Sequence, residues 1–428
     1  MSTTSSPDSN TLKNASWLVV DGYSSGALYA PLLRKKGYSV YHLSSAERGE
    51  QADRLSSTFV PENYDGVFEH NGDLDHTLNQ LADLQGLSHI VAGCETGVAL
   101  ADALASALGL PGNDCELSAA RRNKLLMAKA LLAKGIRAAQ SFEVSCVHEL
   151  ENAEHVLGYP LVVKPLSSAA SDDVYICHSP DEARTALSRI LGKTNALGVF
   201  NATALVQQLL RGTQYVVNTA SVAGQHHIVE VWKDYRFDKG SAYIYDREEL
   251  QPRSAHSQAI IDYCKDALNA LDITYGPAHI ELMVDQEVPT LIELGTRPAG
   301  GIQHDVMVDA QGFSHVDATI SVLTGDGEWW QRIQQSCAKA VYAVALVSDC
   351  DGDVQGYKNL DAVSALASFK SLTGLPAVGA RLSVTRDIAS QPGLLMLSNN
   401  DPRQIAADYK IFRTLETHGL FVSSNIGQ

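Results

Sequence analysis

The sequence predicts a chain of mixed class, α/β in its N-terminal part and α+β beyond it. Three observations predict this. Short apolar strands alternate with helix-like segments over roughly residues 15–115. Strands separated by turns, suited to antiparallel pairing, occupy roughly residues 204–232, and two more joined by a turn occupy 278–294. The chain has 428 residues, more than one ordinary core holds, so two or three domains are expected.

In the N-terminal part, Trp17–Val20 reads as a strand, Asp21–Gly26 as a turn and Ala27–Lys36 as a helix with Gly37 at its C-cap. Tyr38–Leu43 returns to strand. Ser88–Ala92 is another strand, after which Gly93 and Gly97 open an Ala/Leu-rich helix over Val98–Leu108. Strands alternating with helices imply a parallel sheet. Cys115–Lys134 reads as one long helix, broken at Gly135.

The middle of the chain changes texture. Pro160–Pro165 is a strand ending in Lys-Pro, followed by the polar loop Ser167–Asp173 and the strand Val174–Cys177. Pro180–Leu191 is helical, with Ser179 at the N-cap and Glu182 completing a capping box. Ala204–Leu210 and Gln214–Val222 are strands split by Gly212, and His226-His227 fall in an exposed turn before the strand Ile228–Trp232. Ala278–Val284 and Thr290–Leu294 form a hairpin around Gln286-Glu287, and Phe313–Leu323 is helical. The region 338–428 reads as strand, helix, strand, turn, strand, helix.

Composition excludes some functions. Lys plus Arg number 33 and Asp plus Glu 49, a net charge of −16. That balance argues against a phosphate polymer or an anionic membrane surface as partner. No run approaches the roughly 20 apolar residues of a membrane span. Residues 1–14 are Ser/Thr/Asn-rich and read as a disordered tail rather than a signal peptide. The 7 cysteines are scattered without a CxxC pair, which suggests a reducing, cytoplasmic setting.

Two lysines and two carboxylates carry the chemistry. Lys164 ends an apolar strand, where a cation is costly without a partner, and a loop of small residues follows it. Such a loop brings backbone N–H groups and hydroxyls against phosphate oxygens. Lys124 opens a helical stretch after Arg121-Arg122-Asn123; by itself it reads as a solvated helix face. Glu281 and Glu293 alternate with apolar neighbours on strands that a hairpin sets face to face. Paired carboxylates on a sheet call for a cation, and an oxygen-only ligand set suits Mg²⁺.

The order of these residues resembles the ATP-grasp ligases. The matching elements are Asn123-Lys124, the strand Tyr159–Pro165, the small-residue loop Ser167–Asp173, the hinge Leu205–Val217, and Glu281 with Glu293–Arg297. Within that superfamily the stretches Glu230–Lys233, Tyr243–Asp246 and Glu293–Gly301 are similar to the L-amino-acid ligases, carboxylate–amine ligases that make dipeptides.

The resemblance implies an ATP-grasp fold: a pre-ATP-grasp domain over 15–115, an ATP-grasp domain over 116–337 and a C-terminal α+β region over 338–428. The clamp's small lobe would span about 136–206 and its large lobe about 207–337. It implies that a carboxylate attacks ATP to give an acyl phosphate and ADP, and that an amine then displaces phosphate. Lys124, Lys164, Ser168 and Ser171 would hold the phosphates. Gln207, Gln208, Leu209, Leu210 and Gln214 would hold the adenosine. Glu281 and Glu293 would bind one or two Mg²⁺ ions, with Mn²⁺ an acceptable substitute.

Arg297 would stabilise the acyl phosphate or oxyanion, and Lys233 and Arg236 would cover the γ-phosphate. Glu95, Thr96, Gly300, Gly301 and His304 would face the substrates, with a packed or capping role for His304 weighed equally. His279 is expected to be a hydrogen-bonded neighbour of Glu281. Arg121 and Arg122 join these cations as candidates for one cleft. The expected partners are small molecules (amino acids, or another carboxylate and amine), with no nucleic acid and no membrane; a homodimer is compatible with the reading. The alternatives are a biotin-carboxylase-like or purine-pathway ligase, and an ATP-binding protein without catalysis. Three departures from the family pattern stand out: Asp172-Asp173 where glycine is usual, glutamines in the hinge where acids are common, and Gly295 in place of an Asn.

Overall fold

The computed structural model describes residues 15–45, 47, 55–168, 172–238, 243–301, 303–327, 329, 333, 339–388 and 390–424. The predicted N-terminal tail and Ser171 lie outside them.

The first sheet is the expected parallel one. It comprises β1 (Ser16–Val20), β2 (Ser39–Ser44), β3 (Gly66–Glu69) and β4 (Leu87–Ala92), in the order β3-β2-β1-β4 with every pair parallel. Trp17, Val19 and Val40 pack on one of its faces and Leu18, Val20 and Leu43 on the other. This two-sided burial explains why the strands read as apolar runs. The C-terminal strand ends carry Asp21 and, after β4, Gly93–Glu95.

A second, antiparallel sheet contains β5 (Ser141–Val144), β6 (Leu161–Lys164), β7 (Tyr175–Cys177) and β8 (Ala204–Gln208), ordered β5-β8-β6-β7. The helices Val147–Leu157 and Pro180–Ile190 cover its outer face through Leu150, Ala183 and Leu187. Ser179 caps the second helix as expected, while the Glu182 carboxylate accepts the amide of His178, one residue before the cap.

The third sheet has eight strands. β9 (Thr213–Val222), β10 (Gln225–Asp238), β11 (Tyr243–Leu250), β12 (Gly276–Asp285) and β13 (Val288–Gly295) are continued by β14 (Ala340–Ala345), β16 (Phe369–Thr373) and β18 (Leu394–Asn399). The order is β13-β12-β9-β10-β11-β14-β18-β16, so the sheet runs on past position 338. β15 (Gly352–Tyr357), β17 (Arg381–Leu382) and β19 (Phe421–Ser423) form a small separate sheet. The hairpin β12–β13 turns through Gln286 and Glu287, both at positive φ, the backbone of a tight two-residue turn. His226 and His227 belong to β10 rather than to an exposed turn, and His226 bonds Ser221 and Asn269.

The expected helix Cys115–Lys134 is broken in two. Asn123 is extended and its side-chain oxygen accepts the amides of Leu125 and Leu126, so it caps a new helix, Lys124–Ala133. Capping by Asn competes with helix continuation. The break lets the Lys124 amide bond to the carbonyl of Leu166, which ties this helix start to the loop after β6. Among the described residues no helix is long and apolar enough to cross a membrane.

Candidate active site

A cavity of about 880 Å³ lies where the three large sheets converge. Its floor is one face of the eight-stranded sheet, and the period-2 alternation of the strands decides which side chains reach it. Pairing aligns them in two rows. One row runs Glu230, Asn218, His279, Gly295 across β10, β9, β12 and β13. The next runs Trp232, Val216, Glu281, Glu293 across the same strands.

Glu281 and Glu293 are therefore directly opposite, as the hairpin predicted. Lys124 Nζ lies 2.8 Å from Glu293 Oε2. Glu281 accepts from Gln214 at 3.1 Å and contacts His279 Nε2 at 3.3 Å. Burial by itself would raise the Glu281 carboxyl. The contact with His279 and the charges of Arg236 and Arg297 outweigh it and hold the group at about 2. His279 Nδ1 faces Asn218 Oδ1 at 3.0 Å, because the Asn218 amide nitrogen is turned to donate to Glu230. His279 is thus the hydrogen-bonded neighbour expected, with an acceptor oxygen at each ring nitrogen.

Lys164 ends β6 only 5% exposed. Burial, then repulsion from Lys124, lowers its ammonium to about 8, against the opposing pull of Glu293 and Glu281. Lys124 Nζ also donates to the Ser168 carbonyl at 2.9 Å. The two aspartates of the loop have local roles. Asp172 accepts from Ser168 Oγ at 2.7 Å and from the Ala196 amide at 2.9 Å, and Asp173 accepts from the Tyr175 hydroxyl at 2.6 Å. Their charge shapes the loop in place of glycine.

An apolar slot opens beside the lysines, between Val162, Val174 and Ile176 on one side and Met283 and Ile292 on the other. The hinge segment Gln207, Gln208, Leu209 and Leu210 lines the same cavity. The expected side-chain roles of two glutamines change here. The Gln207 amide is spent on Ser141 Oγ, and that of Gln214 on Glu281, because Gln214 shares the sheet face of the carboxylates.

Arg297 lines the cavity, its Nε 3.5 Å from Glu95 Oε2. Arg122 contacts the other Glu95 oxygen at 3.6 Å and bonds Glu47 at 2.7 Å. Gly295 explains itself at this point. A Cβ there would lie 2.9 Å from Glu95 Oε2 and 3.4 Å from Arg297 Nε, so any side chain would push the pair apart. Arg236 reaches the cavity from β10, clamped by Asp234 at 2.7 Å and by the Tyr245 hydroxyl at 2.9 Å. Gly300 and Gly301 line the cavity as expected.

Four expected site residues lie elsewhere. Lys233 alternates with Trp232 and Asp234 and so points to the opposite sheet face, over the Tyr235 ring. Thr96 is buried and donates its hydroxyl to Asp21. His304 turns to Ser314 and Asp317, the capping box of the helix His315–Leu323, and is packed there rather than facing the cavity. Arg121 is 0% exposed and clamps Asp102 at 2.7 Å and the Leu271 carbonyl at 3.0 Å, away from the cavity.

The cavity also contains residues that sequence reasoning had not assigned. Asn218 and Glu230 are polar residues inside apolar strand runs, a signal that was available. Glu248 is half-buried at the wall; burial, Asp234 and Glu281 push its carboxyl up to about 8. Ala343, Ala345, Leu394 and Met396 come from the C-terminal region.

Comparison with known proteins agrees with this layout. Residues 157–305 match the ATP-grasp domain. Dapdiamide A synthase of Enterobacter agglomerans is 28% identical over 420 residues, covering 93% of this chain and 95% of that protein. An L-arginine-specific L-amino acid ligase of Bacillus subtilis is 26% identical over 215 residues, 50% of this chain and 52% of that one. The crystal structure of an L-amino acid ligase from Bacillus licheniformis superposes with a TM-score of 0.74 at 18% identity, covering 96% of this chain and 100% of that chain. Residues 157–305 thus match the ATP-grasp domain, and over nearly its whole length the chain is similar to a dapdiamide synthase and shares the fold of an L-amino acid ligase.

Proposed function

We propose that the protein is an L-amino-acid ligase. It activates the carboxylate of one amino acid with ATP and joins it to the amino group of a second, forming a dipeptide or related amide. The observation that carries this reading is the meeting of Glu281, Glu293, Lys124 and Arg297 in one cavity roofed by Glu95 of the N-terminal sheet.

In this reading the apolar slot takes the adenine, with hinge backbone groups reading its edge. Lys124 and Lys164 neutralise the phosphates, and the loop around Ser168 wraps them. The substrate carboxylate attacks the γ-phosphorus, ADP leaves and an acyl phosphate forms. The amine then attacks the acyl carbon, phosphate leaves and one proton is released. Arg297, with its planar fork, stabilises the acyl phosphate and the oxyanion of that second step. Glu95 holds the fork in place, and Arg236 adds positive charge over the transferring group.

The two opposed carboxylates fit Mg²⁺, a hard cation that takes one or two protein carboxylates and completes its shell with phosphate oxygens and water. Glu281 and Glu293 would hold it. Bound there, the ion would draw negative charge from the transferring phosphoryl group. The six described cysteines are all free, which accords with a cytoplasmic setting.

A pairwise screen of the 20 common amino acids with ATP and Mg²⁺, read by phosphate release and product mass, tests the proposal. Amide products of summed amino-acid mass, less one water, are expected. Phosphate release with bicarbonate alone, and with no amino-acid pair, would contradict it.

A further inference from the structure

Glu230 is 3% exposed and lines the cavity floor. Its hydrogen bonds come from neutral donors. Asn218 Nδ2 at 2.9 Å and Trp232 Nε1 at 3.0 Å reach Oε2, and Gln311 Nε2 at 2.9 Å reaches Oε1. A carboxylate offers about four acceptor positions, so three donors leave one on Oε1. Among the described residues it forms no ion pair; Arg253 acts on it only through its field. A buried charge without a cation is costly, and the loss of hydration raises this carboxyl above its ordinary range. The three N–H groups that point at it oppose that rise and favour the carboxylate form. They also disfavour a metal ion and suit a ligand that brings its own N–H donors and positive charge.

The surroundings define the rest of that ligand. Trp232, whose indole N–H bonds Glu230, packs with Val216, Met307 and Met396, and Ala343 lies against them. All five line the cavity. This apolar wall is built jointly by β9, β10, the helix His304–Gln311 and the strands β14 and β18 of the C-terminal region. Glu230 stands two strands from His279 in its row, roughly 10 Å by the ordinary strand spacing, and the next residue of β12 on that face is Glu281. The space between is of the size that an amino acid's carboxyl and a phosphoryl group fill.

We infer that Glu230 is the counter-ion for the ammonium group of the carboxylate-activated amino acid, and that the Trp232–Met307–Met396–Ala343 wall receives its apolar side chain. The inference rests on the ligase reading for which carboxylate is activated. It adds the chemical class of that substrate: an α-amino acid with an aliphatic side chain, the C-terminal region helping to select it.

The test is calorimetric titration of the full chain with L-leucine and with 4-methylpentanoate, the same acid without its amine, alongside ADP release. The wild type should bind leucine at least about tenfold more tightly than the des-amino acid, a preference that Glu230→Gln removes while leaving 4-methylpentanoate affinity unchanged. A preference retained in Glu230→Gln overturns the inference, as does equal binding of both acids by the wild type. Ala343→Leu, which fills the wall without touching Glu230, should weaken leucine about tenfold more than it weakens alanine. An unchanged leucine-to-alanine ratio overturns the side-chain assignment. Leucine binding that depends on Glu230 without any ADP release would uphold the inference and refute the ligase reading. Amide synthesis indifferent to Glu230 would do the reverse.

Discussion

The guanidinium Nε of Arg297 lies 3.5 Å from Oε2 of Glu95, a contact made across the boundary between the N-terminal parallel sheet and the eight-stranded sheet. The first domain therefore positions the arginine to which the proposed mechanism assigns the acyl phosphate. The lack of a side chain at position 295 permits it.

Arg297→Ala should remove amide formation while leaving ATP binding close to wild type. A loss of at least about 100-fold in kcat is expected where an oxyanion donor is deleted. Gly295→Ala should act through the same pair. Its methyl group would lie 2.9 Å from Glu95 Oε2, so the carboxylate must move off the fork, and kcat should fall by less than in Arg297→Ala with little change in KM for ATP. Steady-state kinetics with an ATP-affinity measurement checks both; wild-type turnover in either variant would count against the role of Arg297.

Glu281→Gln and Glu293→Gln should each raise the Mg²⁺ concentration needed for half-maximal rate, by about tenfold or more. Titrating metal at fixed ATP measures this. An unchanged requirement in both variants would remove the metal assignment.

Lys164 predicts a pH effect. Its ammonium is lowered from 10.5 to about 8, so the folded protein gives up this proton at lower pH than the unfolded chain. From about pH 8 to 10.5 the unfolded state binds more protons here, and this group's contribution to stability rises with pH over that window. Below about 8 the folded chain carries the full cost of the buried cation. The ligand-free protein should gain stability in Lys164→Met, and the same variant should lose most of the thermal shift produced by ATP. ATP affinity of the wild type should fall as pH rises through about 8. Melting curves with and without ATP from pH 7 to 9.5 check the three statements together.

Asp102→Ala should destabilise the protein by about 3–5 kcal/mol, because it strands the fully buried Arg121 without its carboxylate. Activity per folded molecule should hold, since this pair lies outside the cavity. Lys233→Ala, on the far face of the sheet, should change turnover by no more than about twofold. Denaturant melts and kinetics on the two variants separate structural cations from functional ones.

What could be read from the sequence follows from how local each signal is. Glu281 and Glu293 were legible because a two-residue turn fixes the hairpin register, and register fixes facing pairs. Lys164 was legible as a cation in an apolar strand. Lys233 was misplaced because strand alternation, not nearness in sequence to Arg236, decides the face, and β10 carries irregularities that no local pattern announces. Gln214 was read as a nucleotide contact because its shared face with Glu281 depends on the pairing of β9 with β12, over 60 residues apart. Arg121 and Lys124 looked alike in one long helix until the Asn123 cap divided it. The wall supplied by Ala343 and Met396 needed the order of the large sheet, which no segment contains by itself.

The most direct test of the account follows oxygen-18 from the substrate carboxylate. With a labelled amino acid, ATP and an amine acceptor, each phosphate released should carry one labelled oxygen, with ADP and amide formed in equal amount. Unlabelled phosphate beside the amide, or label recovered in AMP, would show that the carboxylate does not attack the γ-phosphorus and would contradict the account.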